Sequence, residues 1–279
     1  MAQPISVSRN RPPVRRPAFR YPVRAVDKAL RILETLGKAL GDLGLVELSR
    51  HLAIEKSTLH RLLGTLEGRG FVRRDPLSLR YSLGIKMLEL GTAVTARSAL
   101  GRTAAPVLDR LAVRSRQTVN LAVLDGDEIL YVAKRESPEP LQLTVEVGRR
   151  LPVHCTALGK AMPAFRPALE VQRLLCRRRR LQQCTPHTIT SPRRILRHLE
   201  EVRRAGFAVD REEQTLGMRC LATPVLDFTG YAVAAVSIAA PAVLLIEERV
   251  AKLGPRLMAE VAEVSRALGG PGDPRAAVG

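Results

Sequence analysis

The chain has 279 residues, with 45 Lys plus Arg against 27 Asp plus Glu and a formal net charge of +18. A hydrophobic content of 46% supports packed cores and excludes a wholly disordered chain, and the length allows about two domains of ordinary size. The charge favours polyanionic partners through counterion release, although nearly all the excess is arginine and much of it lies outside any one motif, so an arginine-rich composition accounts for it as well.

Residues 1–22 are rich in Arg and Pro without periodicity, which predicts a disordered basic arm. Such an arm can follow DNA phosphates or enter a minor groove; an unstructured terminus with no role fits the same composition. Val26, Ala29, Leu30 and Leu33 make the apolar stripe of a first helix. Leu45, Leu48 and Leu52 face inward on a short second helix. After a break, Leu59, Leu62, Leu63 and Leu66 fall at i, i+3, i+4 and i+7, the core-facing stripe of a third. This spacing turns Ser57 and Arg61 away from the core and puts Thr58, His60 and Thr65 on the flanks, within reach of base edges or phosphates. Lys56 stands at the helix start, where backbone N–H groups can also meet a phosphate. Gly68 or Gly70 supplies a left-handed cap. Phe71–Arg74 and Leu79–Leu83 then alternate around Asp75-Pro76-Leu77-Ser78 as a hairpin, with Arg73 and Arg74 where a wing would flank a groove. A solvated polar face explains the third helix taken alone. The preceding helix and the basic hairpin favour a winged helix-turn-helix over residues 23–83, reading the major groove of double-stranded DNA.

Residues 84–100, with Ile85, Leu88 and Leu90, predict a linker helix, and Pro106–Arg116 a further helix. The period then changes to two. Val119, Leu121 and Val123 lead to the turn Asp125-Gly126-Asp127 and a return strand Ile129–Ala133; Leu141, Leu143, Val145 and Val147 make another strand. Ser191-Pro192 starts a helix that Gly206 ends. Cys220–Leu226 and Tyr231–Ile238 flank Asp227-Phe228-Thr229-Gly230 as a second hairpin, and Ile246–Leu268 is helical. The fold class is α+β, with a second domain over 101–269 and a loose tail over 270–279.

The basic run Arg177–Arg180 reads as a solvated face. Cys155, Cys176, Cys184 and Cys220 show no metal-ligand spacing, which predicts reduced structural thiols and no metal site. No phosphate-binding, nucleophile-elbow or zinc-hydrolase motif occurs, so no catalytic residue and no cofactor is expected. No apolar run reaches membrane-spanning length, and no signal-type stretch follows the twin arginine Arg15-Arg16, so the expected location is cytoplasmic and no membrane partner is expected.

Three segments in order carry a family resemblance: Lys56-Ser57-Thr58-Leu59-His60-Arg61-Leu62-Leu63; Leu151-Pro152-Val153-His154-Cys155-Thr156-Ala157-Leu158-Gly159-Lys160; and Gly206–Glu213 continuing to Cys220–Val225. The stretch from Val23 to Gly269 resembles transcriptional regulators of the IclR family. One departure is Leu226, where the family pattern usually has an aromatic residue or His. The resemblance implies a C-terminal GAF-like domain that binds a small organic-acid effector, in homodimers or tetramers. It also implies a pocket formed by Thr156, Ala157, Leu158, Gly159, Asp210, Cys220 and Ser237. Some members read Ser-x-Ser at the last position, where this chain has Ser237-Ile238-Ala239 and hence a less polar wall. The backbone N–H groups of the 156–160 turn can receive a carboxylate. Close packing for Gly159, a core thiol for Cys220 and a turn role for Asp210 are the competing explanations. Two other functions remain to be weighed: an enzyme acting on a small organic acid through the C-terminal domain, and a non-specific basic protein that coats DNA.

Overall fold

The computed structural model describes residues 23–97, 99–139, 146–176 and 180–277. The basic arm, Arg177 to Arg179 and most of the expected strand at 141–147 lie outside them. The chain divides into two compact units between Ala96 and Arg97.

In the first unit, α1 (Arg24–Lys38), α2 (Leu45–Leu52) and α3 (Lys56–Gly68) are followed by β1 (Val72–Arg74), β2 (Tyr81–Leu83) and α4 (Ile85–Arg97), which runs across the boundary. Leu48, Leu52, Ile54, Leu59, Leu63, Val72 and Tyr81 close a core with Ile32 and Leu36 of α1. The α1 stripe therefore differs from the expected one. Val26 and Leu30 are more than half exposed, because the buried edge of α1 is rotated to Ile32 and Leu36, with Leu33 packed at its margin. Helix α3 ends as a Schellman cap: Gly70 has φ +75°, its N–H reaches Glu67 O, and the Phe71 N–H reaches Leu66 O. Gly70, not Gly68, is thus the left-handed residue. Strands β1 and β2 pair antiparallel, with Arg74 opposite Tyr81.

The second unit begins with α5 (Ala99–Ser115), which starts before the expected Pro106 and carries that proline inside the helix. Then come β3 (Thr118–Asp125), β4 (Glu128–Arg135), β5 (Arg150–Pro152), α6 (Ala157–Ala161), α7 (Ala168–Leu175), α8 (Pro192–Ala205), β6 (Ala208–Arg211), β7 (Met218–Leu226), β8 (Ala232–Pro241) and α9 (Glu247–Ala267). The six strands form one antiparallel sheet in the order β5-β4-β3-β8-β7-β6. Its edges are the short β5 and β6, and Val147, expected in a strand, lies in the turn before β5. Period-two alternation splits each central strand between two cores. Ala234, Val236, Ile238 and Ala240 of β8 face α5 and α9, whereas Ala235 and Ser237 face the side covered by α6 to α8. The expected caps of α8 are present: the Ser191 hydroxyl accepts from the Arg194 N–H, and Gly206 is left-handed at φ +82°. Of the tail expected to be loose over 270–279, the described residues 270–277 are docked instead. Gly270 lies so close to Leu226 O that a Cβ there would meet it at 2.3 Å, and Pro274–Ala277 forms a 3-10 turn.

Candidate functional site

The turn between α2 and α3 is set by Ala53, left-handed at φ +52°, and by the buried Ile54, whose carbonyl accepts from the Ser49 hydroxyl at 2.7 Å. Helix α3 then exposes Lys56, Ser57, His60, Arg61, Gly64 and Thr65, while Thr58 is half-buried. Its first turn holds a group that sequence reasoning passed over. The Glu55 carboxylate accepts from the amides of Ser57 at 3.0 Å and Thr58 at 3.2 Å, and from both hydroxyls. The hydrogen bond from the Ser57 hydroxyl, and then those from the two amides, hold the Glu55 pKa down at about 2. An ionised carboxylate already occupies the N–H groups expected to meet a phosphate, so an anion at this helix start would face both competition and repulsion.

On the hairpin, Arg73 is exposed, but Arg74 lies with its guanidinium carbon 5.6 Å from the Tyr81 ring centroid and its Nε buried without a partner. Asp75 fixes the tip by accepting from the amides of Leu77 and Ser78. Arg80 ties the hairpin back to α2: its Nε donates to Asp42 O at 2.9 Å, and its guanidinium pairs with Glu47 at 2.7 Å.

In the second unit, Thr156, Ala157, Leu158, Asp210, Cys220 and Ser237 line one cavity, together with Tyr131, Arg149, Leu151, Gln214, Thr215 and Met218. The free space it encloses is about 70 Å³. Small-molecule sites run to about 300–1,000 Å³, so this one is nearly closed and its walls must part to admit a compact ligand. Gly159 does not line it. The Gly159 amide donates to the Thr156 hydroxyl at 3.0 Å, and an added Cβ would meet Val153 O at 2.2 Å, so this glycine permits close packing behind the wall. Asp210 serves a turn and the cavity at once, since its Oδ1 accepts the amides of Glu213 at 2.7 Å and Gln214 at 3.4 Å. Behind it, Lys160 is fully buried, donates to Val209 O at 2.6 Å and pairs with Glu213. Burial raises the Asp210 pKa to about 7 against the attraction of Lys160. Burial likewise pushes the Cys220 thiol and the Tyr131 phenol up, so both stay protonated and neutral. A wider groove between α5 and α9 is bridged by Arg110 and Arg114 to Glu260 and lies on the opposite side of the sheet from these residues.

Residues 25–76 match the model of the IclR helix-turn-helix domain, and residues 92–266 match that of the bacterial transcriptional regulator IclR C-terminal domain. The chain belongs to the IclR family of transcriptional regulators. It is 34% identical over 243 residues to the HTH-type transcriptional regulator BhcR of Paracoccus denitrificans, covering 87% of this chain and 86% of the relative. To the regulator KdgR of Escherichia coli it is 35% identical over 247 residues, 88% of this chain and 93% of that one. The crystal structure of Thermotoga maritima IclR superposes with a TM-score of 0.75 at 34% identity, over 88% of this chain and 99% of that one. An IclR homologue from Microbacterium hydrocarbonoxydans, solved in complex with 4-hydroxybenzoate, gives 0.77 at 25% identity, over 88% and 98% of the two chains.

Within this IclR-family framework, the cavity residues missing from the sequence reading had a usable signal, Arg149 excepted. Tyr131 follows Ile129 at the strand period and faces the same core; Met218 precedes Cys220 by the same step. Gln214 and Thr215 continue the turn that Asp210 opens. Arg149 had no such signal, because it is placed by the turn between 146 and β5, next to residues outside the described set.

Proposed function

We propose that the chain is an effector-controlled operator-binding regulator of a catabolic operon, acting in the cytoplasm as a homodimer or tetramer. In this reading residues 23–83 read DNA, 84–100 join the domains and 101–269 bind the effector. Ser57 and Arg61 face the groove, with Arg61 on a base edge; Thr58, His60 and Thr65 flank them within reach of base edges or phosphates; Lys56 reaches a phosphate through its side chain alone, and Arg73 and Arg74 meet phosphates. Arg73 is better placed than Arg74, which is already stacked on Tyr81.

The observation that carries the effector half is the convergence of six sequence-selected residues on one enclosed cavity. A small organic acid fits its chemistry. The amides of Ala157 and Leu158, in the first turn of α6, have no helical carbonyl to bond and are available to a carboxylate. Arg149 adds a cation at the cavity edge, and Leu151, Leu158 and Met218 give an apolar body. The 4-hydroxybenzoate held by the relative is an acid of this kind.

The test is a thermal-shift screen of aliphatic and aromatic acids, followed by operator titration with each hit. A true effector raises the melting temperature, since it binds only the native state, and changes operator affinity. Substitution of Ser237 or Cys220 by a bulkier apolar residue should abolish that response and leave effector-free operator binding near normal. A normal response in those variants refutes the cavity assignment. A monomer by light scattering that still binds its operator with full affinity refutes the assembly.

A further inference from the structure

Two thiols stand directly behind the cavity wall. Cys155 closes the 3-10 turn Val153–Cys155 and is fully buried; Cys184, in the segment before α8, is half-buried, and their sulfurs are 3.6 Å apart. Cys155 donates to Gln214 Oε1 at 2.8 Å, and Gln214 is a cavity residue. The Cys184 segment also holds the backbone of the same turn. Thr185 donates to Glu212 O at 2.7 Å and Thr188 to Glu213 O at 2.6 Å.

We propose that Cys155 and Cys184 are a modification site: a hydroperoxide closes them into a reversible disulfide, and closure withdraws the thiol that holds Gln214 at the cavity wall. A disulfide needs its sulfurs about 2.05 Å apart, so they must approach by about 1.5 Å, within the range of side-chain rotation. Of the two residues, Cys184 is the one only half-buried, whereas Cys155 is fully buried. The adjacent Cys184 sulfur and burial keep Cys155 protonated, so the first attack falls to Cys184 and Cys155 gives up its proton only as it attacks in the second step.

The chemistry balances, written for hydrogen peroxide as the oxidant. The Cys184 thiolate attacks a peroxide oxygen, the S–O bond forms as the O–O bond breaks, and hydroxide leaves to take up a proton. The Cys155 sulfur then attacks the sulfenic sulfur of Cys184. Its own proton goes to the departing oxygen, which leaves as water. Each sulfur is oxidised by one electron overall, and the peroxide is reduced to two waters. Closing the bond removes the S–H donor of Cys155, so Gln214 loses that partner and its amide is released toward the ligand space.

The coupling to ligand space rests on the effector reading above; the pairing of the thiols does not. The experiment therefore has two separable readouts on the full chain carrying Cys176→Ser, which removes the exposed thiol. After treatment with hydrogen peroxide, peptide mapping without reductant should show the Cys155 and Cys184 peptides joined, with a mass loss of about 2 Da that dithiothreitol reverses. Cys155→Ser and Cys184→Ser should each abolish the link. Conversion of Cys184 to sulfinic acid with Cys155 untouched, or a link that includes Cys220, overturns the pairing. Labelling of Cys220 by N-ethylmaleimide reports the cavity without any effector: closure should change its rate by roughly threefold or more. An unchanged rate in a fully closed sample overturns the coupling.

Discussion

Replacing Asp210 by asparagine isolates the electrostatics of the cavity. Burial raises its carboxyl from the ordinary 3.8 to about 7, even though Lys160 and the amides of Glu213 and Gln214 favour the charged form. Between those two values the folded chain binds more protons than the unfolded chain, so stability falls as pH rises through about 4 to 7 and the loss is complete above that window. Roughly three pKa units at about 1.36 kcal/mol each set an upper limit of about 4 kcal/mol. Asp210→Asn keeps an oxygen to accept the Glu213 and Gln214 amides but carries no charge at any pH. The variant should match the native chain at about pH 4 and exceed it at about pH 8 by up to about 4 kcal/mol. Urea unfolding followed by far-ultraviolet circular dichroism across that range measures the margin. Parallel stability curves, or a margin that shrinks as pH rises, would refute the assignment of Asp210 as a buried, reluctantly ionised acid. The same titration makes a carboxylate ligand bind more weakly above pH 7, because the neutral acid does not repel it.

Arg61→Ala should weaken operator binding by about 1–3 kcal/mol and relax preference at one base pair, as fluorescence anisotropy on a set of single-base operator variants would show; an unchanged specificity ratio removes Arg61 from base readout. Arg73→Gln should weaken binding to all duplexes alike and lower the slope of log affinity against log salt by roughly 1, whereas Arg74→Gln should change that slope less, because its guanidinium is engaged with Tyr81. Gly159→Ala places a Cβ against backbone that cannot yield, so thermal unfolding should report a loss of about 1–3 kcal/mol.

The three-helix core, the hairpin, the alternating strands and the caps of α8 are legible because each is written in local period or in a single capping residue. The rotation of α1 is not. Val26, Leu30 and Ile32 are equally apolar, and which edge is buried depends on where α3 and β2 press, a non-local fact. Among the cavity residues, Asp210, Cys220 and Ser237 came from a family resemblance rather than from spacing; the structure adds that β6, β7 and β8 carry them as neighbours, with Asp210 opposite Cys220 and Ser237 opposite Ala222. Gly159 and Glu55 mark the limit of motif reading. A glycine that looks available to a ligand is taken by Thr156, and an acidic residue just outside a helix turns out to cap it.

The clamp made by Arg80 sets what can be transplanted. Leu43 and Tyr81 exchange backbone hydrogen bonds in both directions, at 3.0 and 2.8 Å, and Arg80, just before β2, reaches to Asp42 and Glu47, whose carboxylate also receives the Gly44 amide. Grafting α3 alone into another scaffold would leave behind the strut that sets the angle of the hairpin. The portable cassette for moving this operator preference between regulators is the whole of α1 through β2, Arg24 to Leu83, and chimaeras cut inside it should fail at the cut before they fail at the bases.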